Sequence, residues 1–309
     1  MRRGRRRGRS LDGILLLDKR RGCSSNEALQ EVKRLFGAAK AGHTGSLDPL
    51  ATGVLPICFG EATKFSQFLL ESDKRYRTEL RLGVRTDSGD AEGQVLETRP
   101  VPALTKAAVE AVLARFRGPI EQVPSMYSAI KHQGQPLYKL ARQGIEVERA
   151  ARPVEIHELR LEALEGDRMV LFVHCSKGTY VRTLAEDVGE ALGCGAHVTD
   201  LRRLSVGPFG IDEAVTLERL EQLREGGGHA AIDPLLRDVE TAVEHWPAVR
   251  LPDTTAYYLG KGQPVIVPHA PTSGWVRIHE SGDGPGRFLG VGEVLEDGRI
   301  APRRLVVGK

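Results

Sequence analysis

Cysteine is scarce in this sequence, and neither cysteine nor histidine is clustered. The 309 residues include only four cysteines, and these are widely scattered. They form no Cys-x-x-Cys pair and no Cys/His cluster with zinc-ligand spacing. The nine histidines also lack a His-x-x-x-His pair. The sequence therefore predicts isolated reduced thiols and no protein-bound metal.

Long hydrophobic runs are absent as well. The apolar runs at residues 13–17 and 170–173 are far shorter than the roughly 20 residues of a membrane-spanning helix. No hydrophobic signal-peptide core follows the N-terminus, so we expect a cytoplasmic protein that does not enter a membrane. Hydrophobic residues make up 40% of the chain and charged residues 28%, which is typical of a globular protein with a substantial core.

Positive charge is concentrated at the N-terminus. The net charge of the whole chain is +3, and six arginines occur among its first nine residues, so the remainder carries −3, the difference of the two values. We interpret residues 1–10 as a basic, disordered arm. It could contact nucleic-acid phosphates, or it could be a solubilising tail. A mitochondrial presequence is disfavoured because the arm has no amphipathic hydrophobic face.

The remaining sequence predicts alternating strands and helices. Ser24-x-x-Glu27 is a capping-box signature, and the apolar residues after it favour a helix that ends near Gly37. Residues 76–82 alternate as a half-buried strand does, and we expect residues 94–98 to pair with them across a polar turn. Further helices are predicted at residues 61–71, 105–116 and 179–192, and further strands at 13–17, 123–131, 154–163 and 169–176. The pattern indicates a mixed sheet with helices, an α+β or α/β domain.

The sequence changes in character near Trp246-Pro247. The last 60 or so residues contain short strand-like runs, several Gly and Pro residues, and little helical periodicity. We therefore predict a larger domain over residues 11–246 and a small β-rich domain over residues 247–309.

Residues 42–53 contain the most informative pattern in the chain. Several Gly, Thr and Ser residues surround one carboxylate, Asp48, and Pro49 fixes the backbone directly after it. An ordered loop of this kind can present a carboxylate into a cleft. Alternatively, Asp48 could simply cap a turn, since Asp before Pro commonly begins one.

Four sequence blocks resemble a known family. Residues 42–64 (GHTGSLDPLATGVLPICFGEATK) are similar to the signature of the TruB family, the bacterial tRNA pseudouridine synthases that act on the T loop. Residues 73–77, 175–183 and 201–207 (DKRYR, CSKGTYVRT, LRRLSVG) agree in the same order. The resemblance covers residues 11–210 strongly. Residues 288–294 (FLGVGEV) are more loosely similar to the small β-barrel RNA-binding domain called PUA.

The resemblance implies both a fold and a reaction. The expected fold is a central mixed, mainly antiparallel sheet flanked by helices, followed by a β-barrel-like PUA domain. The expected reaction converts uridine to pseudouridine at position 55 of the tRNA T loop. The N-glycosidic bond is cleaved, the uracil turns over, and it is rejoined through C5. Nothing is oxidised and no group is imported, so no cofactor is expected.

The resemblance also assigns roles to individual residues. Asp48 matches the essential aspartate, which either attacks the ribose C1′ or removes a proton from C2′. Arg182 matches the arginine that keeps this carboxylate ionised, and Tyr76 matches the aromatic residue that stacks on the uracil. His43 is expected near the flipped base, and Tyr180 and Leu201 should line its pocket.

Other interpretations of these residues are possible. Tyr76 and Leu201 could be ordinary packing residues, and Arg182 could be an ordinary surface arginine. The candidate contacts to RNA phosphates could instead be solvated surface charges; they are Lys19, Lys64, Arg202 and Arg203.

Two positions depart from the family pattern. Arg20 stands where the family usually has proline, which loosens the turn but adds a positive charge near the expected RNA path. Ser46 stands where alanine is common, a change expected to be harmless.

We expect a monomer that acts on tRNA without an obligatory protein partner. Three alternatives remain open at the level of sequence. The first is a guide-RNA-dependent synthase, and the second is a tRNA-binding or tRNA-folding protein without catalysis. The third is a glycoside hydrolase, although such an enzyme uses two carboxylates and only one stands out here.

Overall fold

The computed structural model describes residues 8–128, 130–281 and 286–306, so most of the predicted basic arm lies outside the described residues. At its described end the prediction of disorder is wrong, because Arg9 forms a β-bridge with Ala38. The described α-helices are α1 Ser25–Leu35, α2 Ser66–Glu71, α3 Lys106–Leu113, α4 Leu137–Ala141, α5 Val181–Ala191, α6 Leu217–Ile232 and α7 Asp253–Gly260. The described strands are β1 Gly13–Lys19, β2 Ala41–His43, β3 Thr52–Phe59, β4 Lys74–Leu82, β5 Val84–Thr86, β6 Val95–Thr98, β7 Gly118–Gln122, β8 Lys131–His132, β9 Gln135–Pro136, β10 Arg152–Glu165, β11 Arg168–Cys175, β12 Ala196–Val206, β13 Phe209–Gly210, β14 Val215–Thr216, β15 Ala248–Leu251, β16 Gly274–Glu280, β17 Phe288–Val294 and β18 Ile300–Leu305.

A ten-stranded sheet forms the centre of the molecule. Its strand order is β14-β1-β3-β12-β4-β11-β10-β7, with β13 paired to β12 and β2 paired to β3. The β1–β14 and β3–β12 pairs are parallel. The neighbouring pairs β1–β3, β12–β4, β4–β11, β11–β10 and β10–β7 are antiparallel. The expectation of a mixed, mainly antiparallel sheet flanked by helices is confirmed.

Helices pack against both halves of this sheet. Val109 of α3 and Leu184 and Val188 of α5 share a core with residues of β4, β10, β11 and β12. Helices α1 and α6 contribute to a second core with β1 and β3, which includes Val32 and Leu220. The loop between β2 and β3 contributes Leu47, Leu50 and Ala51 to the first core, so buried apolar contacts anchor it.

The C-terminal residues form a small sheet of their own, in the order β15-β16-β17-β18. Aromatic contacts join it to the larger sheet region. The rings of Trp246 and Trp275 stack with centroids 5.2 Å apart, and Phe68 meets Trp246 edge-on at 4.9 Å. Lys64 Nζ donates a 3.0 Å hydrogen bond to the Leu305 carbonyl across the same contact. The expected β-rich C-terminal segment is confirmed, and its relation to PUA domains stays a prediction.

Several local predictions are confirmed. Ser24 caps α1, and both hydrogen bonds of the capping box with Glu27 are present. Gly37 follows the helix with a φ of +59°, as its position after the last turn suggests. In β4, Lys74, Tyr76, Thr78, Leu80 and Leu82 are buried and the residues between them are more exposed, which is the expected alternation.

Other predictions are wrong. Residues 94–98 do not pair with β4, because β6 pairs with β5, and β4 lies between β11 and β12. The strand expected at residues 123–131 is instead β7 at Gly118–Gln122, followed by an irregular segment. The helix expected at residues 61–71 is a 3₁₀ segment, Gly60–Lys64, followed by the short α2. The C-terminal region also contains α7, which its low helical periodicity did not predict.

No helix within the described ranges is both long enough and apolar enough to span a membrane.

Candidate active site

The loop that carries Asp48 is fixed by polar contacts to the N-terminal part of the chain. The Ser25 hydroxyl accepts a hydrogen bond from Leu47 N at 2.7 Å and donates one to Leu47 O at 3.0 Å. Gly22 N donates to Pro49 O at 2.8 Å, and Ala51 N closes a turn onto Asp48 O at 3.0 Å. The backbone on both sides of Asp48 is therefore held in place, which preorganises its carboxylate.

Two cations predicted to touch RNA are buried beneath this loop. Lys19 is 1% exposed, and its ammonium donates to the carbonyls of Cys23 at 2.7 Å and Arg20 at 2.9 Å, with Pro49 O at 3.5 Å. Burial lowers the pKa of Lys19. Arg203 is also 1% exposed and donates to Val54 O at 2.8 Å and Gly45 O at 3.0 Å.

The burial of Lys19 and Arg203 argues against direct phosphate contact by either side chain. Both instead satisfy backbone carbonyls around the Asp48 loop that would otherwise be buried without a partner. Gly53 permits the close approach of Arg203. Its φ is +104°, and a Cβ at this position would lie 2.1 Å from the Arg203 carbonyl oxygen.

Asp48 and Arg182 form an ion pair. Arg182 is the second residue of α5, and its Nε lies 2.9 Å from Asp48 Oδ2. The Arg182 side chain is 5% exposed, whereas that of Asp48 is 37% exposed. Reduced hydration raises the pKa of the Asp48 carboxyl, and the Arg182 guanidinium opposes this effect. The sequence comparison predicted this pairing, and the structure brings the two side chains together.

Arg182 is held from its other side by groups that sequence analysis missed. Its Nη1 donates to Ser88 O at 2.7 Å, and its Nη2 donates to Tyr127 O at 2.8 Å. Asp90, whose side chain is 5% exposed, places Oδ2 3.5 Å from Nη1. Asp90 is itself fixed, because its Oδ1 accepts from the Ser88 hydroxyl at 2.6 Å and from Glu92 N at 3.0 Å. One guanidinium thus bridges two carboxylates of different exposure.

Asp48 opens into a cavity of about 420 Å³. Tyr76, Tyr180 and Leu201 line the cavity together with Asp48 and Arg182, so the structure gathers most of the predicted site. Tyr76 is 8% exposed, and burial raises the pKa of its phenol. A cavity of this size is within the range of small-ligand sites.

His43, Lys64 and Arg202 do not line this cavity. His43 lies in β2, and its Nδ1 is buried without a hydrogen-bond partner among the described residues. Burial lowers the pKa of His43. Lys64 pairs with Glu61 at 2.6 Å, near the C-terminal sheet. Arg202 is bound to both carboxylate oxygens of Asp18, at 2.7 and 3.1 Å.

Three further residues lie at or behind the cavity wall without having been predicted. Lys74 lines it and donates to Leu70 O at 2.7 Å and to Ser72 O, and burial lowers the Lys74 pKa to about 8. Tyr127 also lines it, with its hydroxyl 2.9 Å from Asp87 Oδ2. Gln122 fixes the backbone of Tyr180 by accepting from its N–H at 3.0 Å. Lys74 could have been predicted, because residues two apart in a strand point to the same face and Tyr76 was already assigned to the site. No sequence pattern indicated Tyr127 or Gln122.

Models of one protein family match most of the chain. Residues 33–181 match the TruB family pseudouridylate synthase N-terminal domain, and residues 182–244 match the tRNA pseudouridylate synthase B C-terminal domain. Residues 247–306 match the C-terminal domain of pseudouridine synthase II TruB.

Curated relatives agree with this result. The chain is 60% identical over 298 residues to tRNA pseudouridine synthase B of Coxiella burnetii (strain RSA 493 / Nine Mile phase I), covering 96% of each protein. It is 57% identical over 313 residues to the protein of the same name from Serratia proteamaculans (strain 568), covering 99% of each.

Solved structures show a similar fold. A Cbf5-Nop10-Gar1 complex contains a chain that is 25% identical, with a TM-score of 0.71 over 96% of this chain and 84% of that one. An H/ACA RNP bound to a substrate RNA containing 2′-deoxyuridine contains one that is 24% identical, with a TM-score of 0.72 over 96% of this chain and 85% of that one. These structures show the fold of the chain, and the family models place it in the class of pseudouridylate synthases. The chain belongs to the TruB family of pseudouridylate synthases.

Proposed function

We propose that this protein converts uridine to pseudouridine in tRNA, at position 55 of the T loop. The observation that carries the proposal is the partly open carboxylate of Asp48, facing a cavity and backed by the buried Arg182. Relatives that are 57–60% identical over nearly the whole chain are named tRNA pseudouridine synthase B, which supports tRNA as the substrate. The T loop and position 55 follow from the sequence resemblance.

The reaction is an isomerisation that balances without a co-reactant. The bond between uracil N1 and ribose C1′ breaks, and a bond between uracil C5 and C1′ forms. C5 loses its proton, and N1 ends with one. In the proposed reaction, Asp48 either attacks C1′ or removes the C2′ proton, and both routes require its ionised form.

Arg182 maintains that ionised form. Its positive charge lowers the pKa of Asp48, opposing the effect of reduced hydration. A freely rotating arginine could swing away from the carboxylate. The carbonyls of Ser88 and Tyr127, together with the Asp90 carboxylate, hold the guanidinium in position. We infer that Asp90 positions Arg182 and does not contact the substrate.

The cavity fits the proposed uracil. A nucleotide in a folded loop must leave its stack before Asp48 can reach C1′. In the proposed complex Tyr76 stacks on the extruded base, an interaction typically worth about 1–3 kcal/mol per base. Tyr180 and Leu201 form other parts of the cavity wall. His43 lies outside the cavity on β2, and its expected contact near the displaced base follows from the sequence resemblance alone.

Contacts to the RNA backbone are proposed only for cations that are at least partly exposed. Arg202 keeps 36% of its side chain exposed beside Asp18 and can exchange that partner for a phosphate. Lys64 keeps 30% exposure at the contact with the C-terminal sheet. For Lys19 and Arg203 we replace the expected phosphate contact with a role in holding the Asp48 loop. Arg9 of the N-terminal arm is paired with Asp233 and donates to Phe36 O, so only the other arginines of the arm are kept as candidates for phosphate contact.

The alternative functions have less support. A guide-RNA-dependent activity is not favoured, because the relatives that are 57–60% identical to this chain are named tRNA pseudouridine synthase B. A protein that only binds or folds tRNA would have no need for a buried arginine shared between Asp48 and Asp90. A monomer without protein partners and a cytoplasmic location stay predictions.

Mapping the modified nucleotide tests this proposal. Unmodified tRNA transcripts with uridine or cytidine at position 55 are incubated with the purified chain alone. Pseudouridine is then located by carbodiimide treatment and primer extension. We expect one modified position in the uridine transcript and none in the cytidine transcript. Modification only at other uridines, or only after a guide RNA is added, would overturn the proposed substrate.

A further inference from the structure

Two imidazoles and a carboxylate converge on the outer face of the large sheet. His157 Nε2 lies 3.2 Å from Asp73 Oδ2, and His174 Nε2 lies 4.0 Å from the same oxygen. The two imidazole rings have centroids 4.8 Å apart. Within the described ranges, these residues form a group whose available ligand atoms all lie within 4.8 Å of one another.

Two of the side chains come from the adjacent strands β10 and β11, and the third from the residue before β4. His174 lies in β11 opposite Arg75 of β4, and Arg75 is exposed while its neighbours Lys74 and Tyr76 are buried. His174 therefore lies on the face opposite to Tyr76, since cross-strand partners point to the same side. Asp73 immediately precedes β4. The group is thus separate from the cavity that contains Asp48.

A β-bulge adds His157 to this group. In the β10–β11 ladder Ile156 pairs with Cys175 and Glu158 pairs with His174, so His157 is an extra residue between two ladder pairs. The pattern of burial changes phase there, because His157 and Glu158 are both exposed between the buried Ile156 and Leu159. Bulges re-aim side chains, and this one places two imidazoles side by side.

More negative than positive side chains surround this group. Glu155 Oε1 lies 3.7 Å from His157 Nδ1, and the charge of Glu158 also acts on His174. Arg75 is the opposing positive charge that acts on His174. A neutral imidazole binds metal through a ring nitrogen, and both imidazoles here have a ring nitrogen within 4.0 Å of the same carboxylate oxygen.

We propose that Asp73, His157 and His174 bind one divalent transition-metal ion, with zinc as the best-suited ion. Two imidazole nitrogens and one carboxylate oxygen are a common zinc donor set, and the fourth position is left to water. In a tetrahedral site with ligand bonds near 2.1 Å, neighbouring ligands lie about 3.4 Å apart. The observed separations therefore require only small side-chain rotations.

This site does not depend on the proposed function. The sequence predicted no metal because no two ligands stand at zinc-finger or helical spacing along the chain. Ligands that a sheet brings together from separate parts of the chain have no such spacing. The four cysteines are all buried, so thiolates do not compete for an added ion in the folded protein.

Zinc titration of the purified, chelator-treated full chain tests the proposal. Calorimetry gives stoichiometry and affinity, and cobalt(II) absorption in the visible range reports the coordination geometry. The variants are His157→Gln, His174→Gln and Asp73→Asn. His132→Gln is the matched control, because His132 is an exposed histidine in β8, outside the group. Thermal unfolding without metal checks that each variant is folded.

We expect one zinc ion per chain and a tetrahedral cobalt spectrum in the wild-type protein. Each of the two histidine variants should weaken zinc binding by at least about tenfold, since even indirect partners of a metal site change affinity by 10–100-fold. His132→Gln should bind as wild type does. The proposal is overturned if the wild-type chain binds no stoichiometric zinc, or if His157→Gln and His174→Gln bind it as well as the control does.

Discussion

Arg182 Nε lies 2.9 Å from Asp48 Oδ2, and this contact joins the start of helix α5 to the loop between β2 and β3. The guanidinium is nearly inaccessible, while the carboxylate is partly open to the cavity. The pair is therefore asymmetric, because the guanidinium is buried and the carboxylate faces the cavity. In the proposed mechanism, Arg182 favours the ionised form of Asp48 without occupying the space that the substrate needs.

Replacing Arg182 with lysine should impair catalysis more than tRNA binding. An ammonium cannot reproduce the forked contacts to Asp48, Ser88 O and Tyr127 O. We expect kcat to fall on the order of 10²–10³-fold, the range for loss of a preorganised donor. Single-turnover kinetics measures the chemical step and filter binding measures affinity. A fall in affinity with an unchanged rate of the chemical step would contradict this role.

Gly53→Ala should destabilise the fold. The positive φ is strained for alanine, and the new Cβ would collide with the Arg203 carbonyl. We expect a loss of at least about 1–3 kcal/mol in the free energy of unfolding, measured by urea denaturation. Gly42→Ala is the matched control, because a Cβ there meets nothing within 4 Å. Equal stability of the two variants would show that the approach of Arg203 to Gly53 is not required.

Lys19→Met and Arg202→Gln should differ in their effect on the salt dependence of tRNA binding. Arg202 is partly exposed, so its loss should reduce the slope of log affinity against log salt by about 0.7–0.9, the value for one phosphate contact. Lys19 is buried, so its loss should lower stability and leave the slope unchanged. A reduced slope for Lys19→Met would restore the original prediction of a phosphate contact.

Glu186→Gln should stabilise the protein more at high pH than at low pH. Burial raises the pKa of Glu186 from 4.5 to about 7. Protonated Glu186 contributes to stability at pH values below its ordinary pKa of 4.5. This contribution is lost as pH rises through the raised pKa of about 7, because the folded state then contains a poorly hydrated carboxylate. Glutamine avoids this loss, so the gain over wild type should be larger near pH 8 than near pH 5.

Chemical denaturation at the two pH values measures the gain. Glu221→Gln removes an exposed carboxylate from α6 and controls for the change in net charge. A gain for Glu186→Gln that is equal at both pH values would contradict the assigned burial effect.

Local sequence signals predicted the features that depend on neighbouring residues. The capping box of α1 involves Ser24 and Glu27 alone, and the alternation of β4 follows from burial of one sheet face. The predicted pairing of β4 was wrong because it assumed that strands consecutive in sequence form a hairpin. The actual partners, β11 and β12, come from far along the chain.

The site was predicted where motifs are contiguous and missed where it depends on tertiary contacts. Asp48 and Arg182 lie in long matching blocks. Asp90 does not, and its significance follows only from its distance to Arg182. Lys19 and Arg203 were assigned to the surface because charged side chains are almost never fully buried unless paired. Their partners include the backbone carbonyls of Cys23, in the turn after β1, and of Val54, in β3, and a sequence pattern does not reveal these contacts.

Tritium release from C5-tritiated tRNA tests the central claim most directly, with the wild-type chain compared with Asp48→Asn and no partner protein added. Exchange of the C5 proton is an obligatory part of pseudouridine formation, so release reports the reaction itself. The account predicts release by the wild-type protein and none by Asp48→Asn, with tRNA binding retained in both. Release by the variant at the wild-type rate, or tRNA binding without release by the wild type, would contradict it.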